Sequence, residues 1–428
     1  MYPKLVDRAY IKLTPEKEKN ILSFVVNNSR NYLCVNETAA RILELCNGKN
    51  SIENISSELV EVYDEKYEIV KKYIMDFLEP LVEAGIIKNN KENNFTEKSN
   101  IVKGSRNVYY PNALCLEVTD YCPLNCRHCY LDKKNFNIIS KEHLEEILKI
   151  IDATGIIQVQ ITGGEALTYP YLEELIDNLI NRNIVTVIST SAFGYNEKIL
   201  KFLEKIKKVN GSMLRISLDG MKETHNYIRN NERAYDEAIK FLKENVKRGV
   251  SCQIETSLID QTHEEIDELI SRVKELGACS IEIGKLYEQG NARKNNLQLV
   301  WSKEEHLAFL EEMGKKHNNE HFFVKTEAER KIKNCGAGYE VVRITSSLDI
   351  TPCPMMEFKM GNLKQEKYYD IIAKYNEIFK TIEAPCRKIC GECDNFESCQ
   401  SCMAIGYNTK ELTKDCCWFN TYKDVLSK

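Results

Sequence analysis

The sequence predicts an α/β protein whose central part is a parallel sheet that closes in part, as a partial (β/α)6 TIM-type barrel. From about residue 112, β-rich runs alternate with helical runs across short loops, as expected for parallel βα units. The chain before residue 88 has a different pattern, a β-hairpin followed by three helices. The C-terminal part is crowded with cysteines. We therefore expect a small N-terminal α+β module, a barrel and a cysteine-rich C-terminal domain.

Composition excludes several classes of protein. The 428 residues carry a formal charge of −5, which argues against a broad basic face for nucleic acid. No apolar run approaches the roughly 20 residues of a membrane span, and the N-terminus lacks a signal-peptide pattern, so we expect a cytoplasmic protein. The chain has 17 cysteines. In a reducing compartment this number favours metal ligands or redox chemistry over disulfides.

The N-terminal module, residues 1–87, is predicted to be winged-helix-like. Residues 21–26 and 32–35 are β-rich and flank a polar turn, which predicts a hairpin. Asn36 is a candidate N-cap for the first of three helices, the second of which is expected over 52–63. Residues 88–111 are rich in Asn, Lys, Glu and Ser and are predicted to be a linker.

The barrel is predicted over residues 112–300. Its strands are expected at residues 114–118, 157–161, 184–188, 214–218, 253–258 and 280–283. Its helices are expected at residues 141–153, 171–180, 198–209, 235–247 and 264–276. In such folds the chemistry lies beyond the carboxyl ends of the strands. Cys122, Gly163 and Asp219 all follow predicted strands, which makes that edge the candidate site.

Three cysteines, Cys122, Cys126 and Cys129, lie on one short loop after the first barrel strand. Thiolates are the soft ligands of iron–sulfur clusters, and three of them would leave one iron of a cubane for another ligand. Zinc is the alternative, but structural zinc requires four ligands, and His128 would crowd its neighbours. The isolated cysteines are expected to be small buried hydrophobes: Cys34, Cys46, Cys115, Cys252 and Cys279.

The spacing Cys-x3-Cys-x2-Cys followed by Tyr130 resembles the signature of the radical S-adenosylmethionine (SAM) superfamily. The resemblance continues through a Gly-Gly-Glu segment, a Ser-Leu-Asp-Gly segment and a His-Asn-Tyr-Ile-Arg segment. It implies that the glycine segment contacts the methionine amino group, and that Ser217 and Arg229 bind the carboxylate. The cofactor-binding residues it implies are Gly163, Gly164, Glu165, Ser217, Asp219 and Arg229.

Two positions depart from this family pattern. Asn226 replaces the usual Asp, and residues 189–192 read Ser-Thr-Ser-Ala where many relatives have Thr-Asn-Gly, so ribose contacts are not assigned. No general acid or base is identified: Asp219, Glu255 and Tyr287 lie in or just beyond strands, but location is their only support.

The C-terminal domain, residues 301–428, resembles the SPASM extension, which in many relatives binds two auxiliary [4Fe–4S] clusters. The resemblance implies that Cys390, Cys393, Cys399 and a late cysteine (Cys416 or Cys417) hold one cluster. Cys335, Cys353 and Cys402 would hold the other, with Cys386, substrate or nothing as fourth ligand. The last spacing is x2 instead of x3, and Leu348 replaces a common Gly. A zinc ribbon is the alternative for 390–402.

The N-terminal module resembles the PqqD-like leader-recognition domain, which binds a precursor's leader peptide as an added strand. A winged helix that binds DNA, or that only packs on the core, is the alternative. Together the resemblances imply a radical SAM maturase of a ribosomally made peptide, with three [4Fe–4S] clusters and SAM as cofactors. The expected product is a thioether, and a carbon–carbon crosslink comes second. Flavodoxin or ferredoxin would supply electrons.

Two rival functions remain open from the sequence. One is an enzyme of the anaerobic sulfatase-maturating type, which shares both cluster regions without needing a leader-binding domain. The other is a non-enzymatic iron–sulfur or zinc module, against which the SAM-binding motifs argue.

Overall fold

The computed structural model describes residues 1–16, 19–26, 29–92, 101–131, 135–286, 289–297, 301–325, 334–382 and 402–408. The chain forms two units, each considered by itself. One comprises residues 1–110 with 147–156, and the other residues 111–146 with 157–428.

The first unit contains two small sheets and three helices. Its strands are β1 (Tyr2–Leu5), β2 (Tyr10–Leu13), β3 (Asn20–Val26), β4 (Ser29–Val35), β5 (Ile87–Asn90) and β6 (Val102–Gly104). Its helices are α1 (Glu37–Leu45), α2 (Ile52–Tyr63) and α3 (Tyr67–Glu83). One sheet has the order β4-β3-β2-β6, and β1 pairs with β5 in the other. The predicted hairpin is therefore β3 and β4, and the three predicted helices are present.

The start of α1 shows how local sequence fixes an element. The Asn36 side chain accepts a hydrogen bond from the Ala39 backbone N–H at 2.9 Å, which satisfies one of the amides that a helix start leaves unpaired. The helix then buries Ala40, Ile42 and Leu43 in the core of this unit. The N-cap predicted from the sequence is confirmed.

The predicted linker differs from the structure. Residues 88–111 contain most of β5 and all of β6, and β6 pairs parallel with β2, with Val102 opposite Ile11. Ile101 is buried in the core of the unit. Two adjacent apolar residues in a polar stretch are too weak a pattern to predict a strand, and only pairing with β2 stabilises it.

The second unit is built on a ten-stranded sheet in the order β13-β12-β11-β10-β9-β8-β7-β14-β15-β16. Its strands are β7 (Ala113–Glu117), β8 (Gln158–Thr162), β9 (Val185–Thr190), β10 (Met213–Ser217), β11 (Cys252–Leu258), β12 (Ser280–Lys285), β13 (Phe323–Lys325), β14 (Val341–Ile344), β15 (Asp349–Thr351) and β16 (Gly361–Asn362). The strands from β13 to β7, and β14 beside β7, are parallel. The six parallel strands predicted from the sequence are β7 to β12.

The predicted boundary at residue 300 does not coincide with an edge of the sheet. Short strands from the predicted C-terminal domain extend the sheet at both ends, β13 beside β12 and β14 beside β7. These strands have four residues or fewer, too short for an alternating pattern to reveal them.

Helices connect the strands of this sheet. They are α4 (Lys141–Thr154), α5 (Leu172–Asn181), α6 (Glu197–Leu203), α7 (Lys222–Arg229), α8 (Ala234–Lys247), α9 (His263–Glu275), α10 (Gly290–Lys294), α11 (Lys303–His317), α12 (Tyr368–Thr381) and α13 (Met403–Asn408). A 3₁₀ turn, Glu204–Lys208, continues α6 to the end of the helix predicted there. The sequence did not predict α7, because Ile228 is its only buried aliphatic residue. In the described parts of the chain, every helix is too short or too polar to span a bilayer.

Two glycines of the first unit test whether β6 is a structural strand. Both have positive φ, Gly104 at +75° and Gly85 at +70°, so Ala at either position adopts a conformation that costs about 1–2 kcal/mol. At Gly104 the added Cβ would also meet the Leu13 carbonyl oxygen, whereas at Gly85 no atom lies within 4 Å. We expect Gly104→Ala to destabilise this unit by about 1–3 kcal/mol more than Gly85→Ala.

Urea unfolding, together with hydrogen exchange of the β2 and β6 amides, measures this difference. Equal effects of the two substitutions would contradict the pairing of β6 with β2.

Candidate active site

A cavity of about 480 Å³ opens at the carboxyl ends of the parallel strands, a volume usual for ligand sites. Cys122 follows β7, Gly163 and Gly164 follow β8, and Ser217 ends β10. Parallel pairing places these strand ends at one edge of the sheet. The predicted site residues that line the cavity are Cys122, Cys126, Cys129, Gly163, Gly164, Ser217 and Arg229.

The cysteine loop is held through its backbone by two helices. Asn291, at the start of α10, donates its side-chain amide to the Cys126 carbonyl at 3.0 Å and its backbone N–H to the Cys129 carbonyl at 2.7 Å. The Arg127 backbone N–H donates to the Ile228 carbonyl of α7 at 2.8 Å. Sequence reasoning did not identify Asn291, because nothing in the sequence connects it to a loop 160 residues earlier.

The two glycines of the Gly-Gly-Glu segment allow a close approach of two backbones. A Cβ on Gly163 would lie 2.2 Å from the Thr119 carbonyl oxygen, and one on Gly164 would lie 2.3 Å from that of Tyr121. The Gly164 N–H donates to the Thr119 carbonyl at 2.7 Å. The loop after β8 is therefore packed against the chain that leads into Cys122. The family resemblance implies that these glycines let the backbone approach the bound ligand. In the structure they also let two backbone segments pack closely together.

Glu165 is 1% exposed and is absent from the cavity lining. Its carboxylate accepts hydrogen bonds from the Thr190 hydroxyl at 2.5 Å, and from the Ser191 backbone N–H at 2.8 Å and hydroxyl at 2.5 Å. Burial raises the pKa of Glu165, and these hydrogen bonds oppose the rise. Glu165 thus positions Thr190 and Ser191, which do line the cavity.

Asp219 is fully buried and also lies behind the cavity wall. It accepts hydrogen bonds from Arg229 Nε at 2.7 Å and from the Ser257 backbone N–H at 3.1 Å. Burial alone would raise the pKa of Asp219, but the Arg229 guanidinium lowers it to about 2. Arg229 Nη1 lies 3.8 Å from Cys126 Sγ. Asp219 therefore fixes a cation that lines the cavity beside a cysteine of the loop.

The His-Asn-Tyr-Ile-Arg segment forms the end of α7. His225 Nδ1 accepts a hydrogen bond from the Asp219 backbone N–H at 2.9 Å, and burial lowers the His225 pKa to about 3, so the ring is neutral. Asn226 bridges to the start of α8, donating to the Glu232 carbonyl at 2.7 Å and accepting from the Tyr235 N–H at 2.9 Å. The side chain that departs from the family pattern thus has a structural role here.

Two other departures from the family pattern keep the backbone conformation that glycine favours. Ala192 and Leu348 stand where relatives commonly have glycine, and their φ angles are +58° and +69°. Both side chains are buried, with 0% and 2% exposure. The chain therefore tolerates left-handed strain at these positions while it packs the added side chains in the core.

Some cavity residues were not predicted as site residues. They are Cys115, Gln160, Ser189, Arg215, Glu255 and Glu282, which alternate with core residues along β7 to β12. The signal was present in the sequence as polar residues two positions apart on β8, β10, β11 and β12. It is weak because the same alternation is typical of a solvated sheet face.

The isolated cysteines are mostly as predicted. Cys46, Cys115 and Cys252 are buried, and burial raises the pKa of Cys115 to about 12. Cys279 is half-buried. Cys34 is exposed on the edge strand β4, so the prediction that it is buried was wrong. β4 is the outer strand of its sheet, and residues 31–34 are all exposed, so both faces of the strand are open to solvent there.

Three cysteines of the C-terminal domain lie within the described residues: Cys335, Cys353 and Cys402. Burial raises the pKa of Cys353 to about 12, and negative charge on Cys402 and Cys335 adds to the rise. This is the trio that the resemblance assigns to one auxiliary cluster. The other predicted ligands lie outside the described residues: Cys386, Cys390, Cys393, Cys399 and Cys416.

The donor set of the cysteine loop fits an iron–sulfur cluster. Three soft thiols line a cavity with room for a further ligand, beside a buried cation. In the described part of the chain, no group of three or more His, Cys, Asp or Glu side chains has the arrangement that holds a single metal ion. Cys122, Cys126 and Cys129 would hold the cluster, and Arg229 would face a SAM carboxylate.

Comparison with known families agrees with both resemblances. Residues 116–273 match the Radical SAM superfamily, and residues 23–87 match the family of coenzyme PQQ synthesis protein D (PqqD). The chain is therefore a radical SAM enzyme with an N-terminal PqqD-like domain, and a [4Fe–4S] cluster and SAM are its cofactors.

Two relatives carry names that refer to bacteriocin biosynthesis and killing factor maturation. The antilisterial bacteriocin subtilosin biosynthesis protein AlbA of Bacillus subtilis is 25% identical over 79% of this chain and 76% of its own length. The sporulation killing factor maturation protein SkfB of the same organism is 23% identical over 63% of this chain and 67% of its own length.

Among solved structures, Streptococcus suis SuiB bound to its precursor peptide SuiA has a similar fold. Its TM-score is 0.68 at 18% identity, over 97% of this chain and 99% of that chain. This chain and SuiB therefore share a fold over nearly their whole lengths.

The close approach at Gly164 can be tested by a single methyl group. Gly164→Ala places a Cβ against the Tyr121 carbonyl, one residue before Cys122, so we expect the loop to shift and iron incorporation at this site to be lost. Gly284→Ala is the matched control, because its Cβ would meet only the Thr256 carbonyl at an ordinary 3.9 Å. Iron analysis and the spectrum of the reduced cluster measure the effect. Normal iron content in Gly164→Ala would show that the contact does not hold the loop.

Proposed function

We propose that this enzyme installs a thioether crosslink in a ribosomally synthesised precursor peptide. The observation that supports this most is the shared cavity: three loop thiols and the SAM-motif residues line it, in a chain that also has a PqqD-like domain. AlbA and SkfB act in the production of such peptides, by their names, and SuiB was solved with its precursor peptide.

When bound, the reduced cluster and SAM supply a 5′-deoxyadenosyl radical that abstracts a hydrogen atom from carbon. For a thioether, the C–H and S–H bonds of the precursor break and one C–S bond forms. The carbon's hydrogen would leave in 5′-deoxyadenosine, the thiol proton would go to solvent or a base, and one electron would leave to an acceptor, which a second cluster held by the C-terminal cysteines would supply. The chain's own residues would hold the reactants: Arg229, fixed by Asp219, is a cation that lines the cavity.

The N-terminal unit has a surface suited to the leader peptide. β4 is an edge strand, and in the described part of the chain no strand pairs with its outer side. Tyr32 and Leu33 on β4 are 39% and 45% exposed, and Tyr73 on α3 is 67% exposed. An exposed edge with apolar side chains is what an added peptide strand requires, since backbone hydrogen bonds give affinity and side chains give selectivity.

The enzyme would also need auxiliary clusters and an electron donor. Two auxiliary [4Fe–4S] clusters would be held by the C-terminal cysteines, one of them by Cys335, Cys353 and Cys402. Flavodoxin or ferredoxin would reduce the enzyme, and the reaction would take place in the cytoplasm. The resemblance of the C-terminal cysteines to the SPASM extension supports the first of these clusters.

Removing the loop thiols tests the mechanism. We expect Cys122→Ala, Cys126→Ala and Cys129→Ala together to abolish 5′-deoxyadenosine formation, because SAM has no iron to bind. After anaerobic reconstitution, the parent enzyme should contain about twelve irons and the triple variant about eight. Continued 5′-deoxyadenosine formation by the triple variant would refute the mechanism, and a colourless protein that binds zinc would refute the cofactor assignment.

Charged substitutions on the N-terminal surface test leader recognition. We expect Tyr32→Glu with Leu33→Glu, both on β4, to weaken binding of a labelled leader peptide by about 10–100-fold, since each loses an apolar contact. Tyr369→Glu is the control, because Tyr369 is a 47% exposed aromatic on α12 of the other unit. Fluorescence anisotropy gives both affinities.

Deletion of the N-terminal module also tests its role in leader recognition. If deletion of residues 1–87 left turnover of the precursor unchanged, the leader-binding role would be refuted and the sulfatase-maturating type of enzyme would be favoured.

A further inference from the structure

Charged side chains line the interior of the sheet beside the SAM motifs. Arg215 of β10, Glu255 of β11 and Glu282 of β12 all line the cavity. Barrels of this kind usually fill their interior with branched apolar side chains, because an enclosed charge is costly to desolvate. The proposed steps of SAM binding and hydrogen abstraction use none of these three residues.

These three residues differ in how many of their polar atoms have a hydrogen-bond partner. Glu282 accepts from the Gln253 side-chain amide at 3.0 Å and pairs with Lys325 Nζ at 3.3 Å. Arg215 Nη1 donates to Glu255 Oε1 at 3.0 Å. Within the described residues, Glu255 Oε2 accepts no hydrogen bond and the buried Arg215 Nε has no partner.

The Arg215–Glu255 pair therefore lines the cavity with hydrogen-bonding capacity that the described residues leave unused. The two side chains are 23% and 32% exposed, so a molecule in the cavity can reach them. An anion there would be repelled by Glu255, and a cation by Arg215. An apolar group would leave both capacities unsatisfied, which is costly in an enclosed site. A neutral group that both donates and accepts hydrogen bonds satisfies both.

SAM is a less suitable occupant of this pair than the peptide. Its carboxylate has a cation of its own in Arg229, which Asp219 holds at 2.7 Å. The carboxylate of Glu255 would repel that group. Arg215 lies two residues before Ser217 on β10, further from the carboxyl ends of the strands that carry the cysteine loop and the Gly-Gly-Glu segment.

We propose that Arg215 and Glu255 bind a neutral polar side chain of the precursor, that of Asn, Gln, Ser or Thr, at the residue that loses hydrogen. This inference rests on the proposed function and specifies its substrate: the acceptor residue of the crosslink is polar and uncharged. Arg215 and Glu255 are then specificity-determining residues of the cavity.

The test uses a precursor peptide that the enzyme crosslinks, with its acceptor residue replaced in turn by Asn, Ser, Asp, Lys and Leu. For the parent enzyme we expect kcat/KM to be higher for Asn or Ser than for Leu by at least about 100-fold, because a hydrogen-bonding site rejects an analogue that lacks the bond. Arg215→Leu with Glu255→Leu should abolish this preference and favour Leu, with the Kd for SAM unchanged.

A second variant keeps the shape of the side chain. Glu255→Gln removes only the negative charge, so we expect it to accept the Asp precursor better than the parent enzyme does. The control is Lys205→Leu with Asp177→Leu, which removes an ion pair of similar exposure, 31% and 46%, on the helices outside the cavity. It should change neither the preference nor the affinity for SAM.

The outcomes separate this inference from the function on which it rests. If both Glu255 variants kept the parent's preference for Asn or Ser over Leu, the inference would be overturned. If they kept that preference but bound SAM more weakly, the pair would instead be assigned to the nucleoside hydroxyls of SAM. If the parent enzyme formed 5′-deoxyadenosine but crosslinked none of the precursors, the proposed function itself would fail.

Discussion

Parallel pairing of β7 to β12 is the constraint on which the candidate site depends, because it brings the ends of six strands to one edge. The register matches Glu117 with Thr162 and Ser217 with Glu255. A slip of one residue would exchange the core and cavity faces of a strand. The loop with Cys122, the glycine segment and Ser217 can therefore meet only while this register is kept.

Two buried carboxylates then fix what the cavity presents. Glu165 holds Thr190 and Ser191, and Asp219 holds Arg229. An unpaired buried carboxylate would be very costly, so each is stable only with its partners in place. Each of these sequence motifs therefore contributes both a residue that lines the cavity and a buried carboxylate behind it. Gly164 and Ser217 line the cavity, while the carboxylates behind them hold its polar wall in one arrangement.

The sequence allowed the parts of the site with strong local signals to be predicted. The spacing of Cys122, Cys126 and Cys129 is specific, and the period of the barrel helices and strands is strong enough to place them within a few residues. Val102 and Arg215 show why other parts could not be predicted. Val102 belongs to a strand only because it pairs with Ile11, which is distant in sequence. Arg215 lies in an alternation of polar and apolar residues that any strand with one solvated face would also show. Both depend on tertiary context that a local window does not contain.

If Cys122, Cys126 and Cys129 hold three irons of a cubane, the fourth iron would be left to bind SAM through its amino and carboxylate groups. Electron–nuclear double resonance of the reduced enzyme, with SAM carrying ¹⁵N at the amino group and ¹⁷O at the carboxylate, measures this directly. We expect hyperfine coupling of both nuclei to a [4Fe–4S] cluster. Absence of coupling in iron-loaded protein that binds SAM would contradict the account.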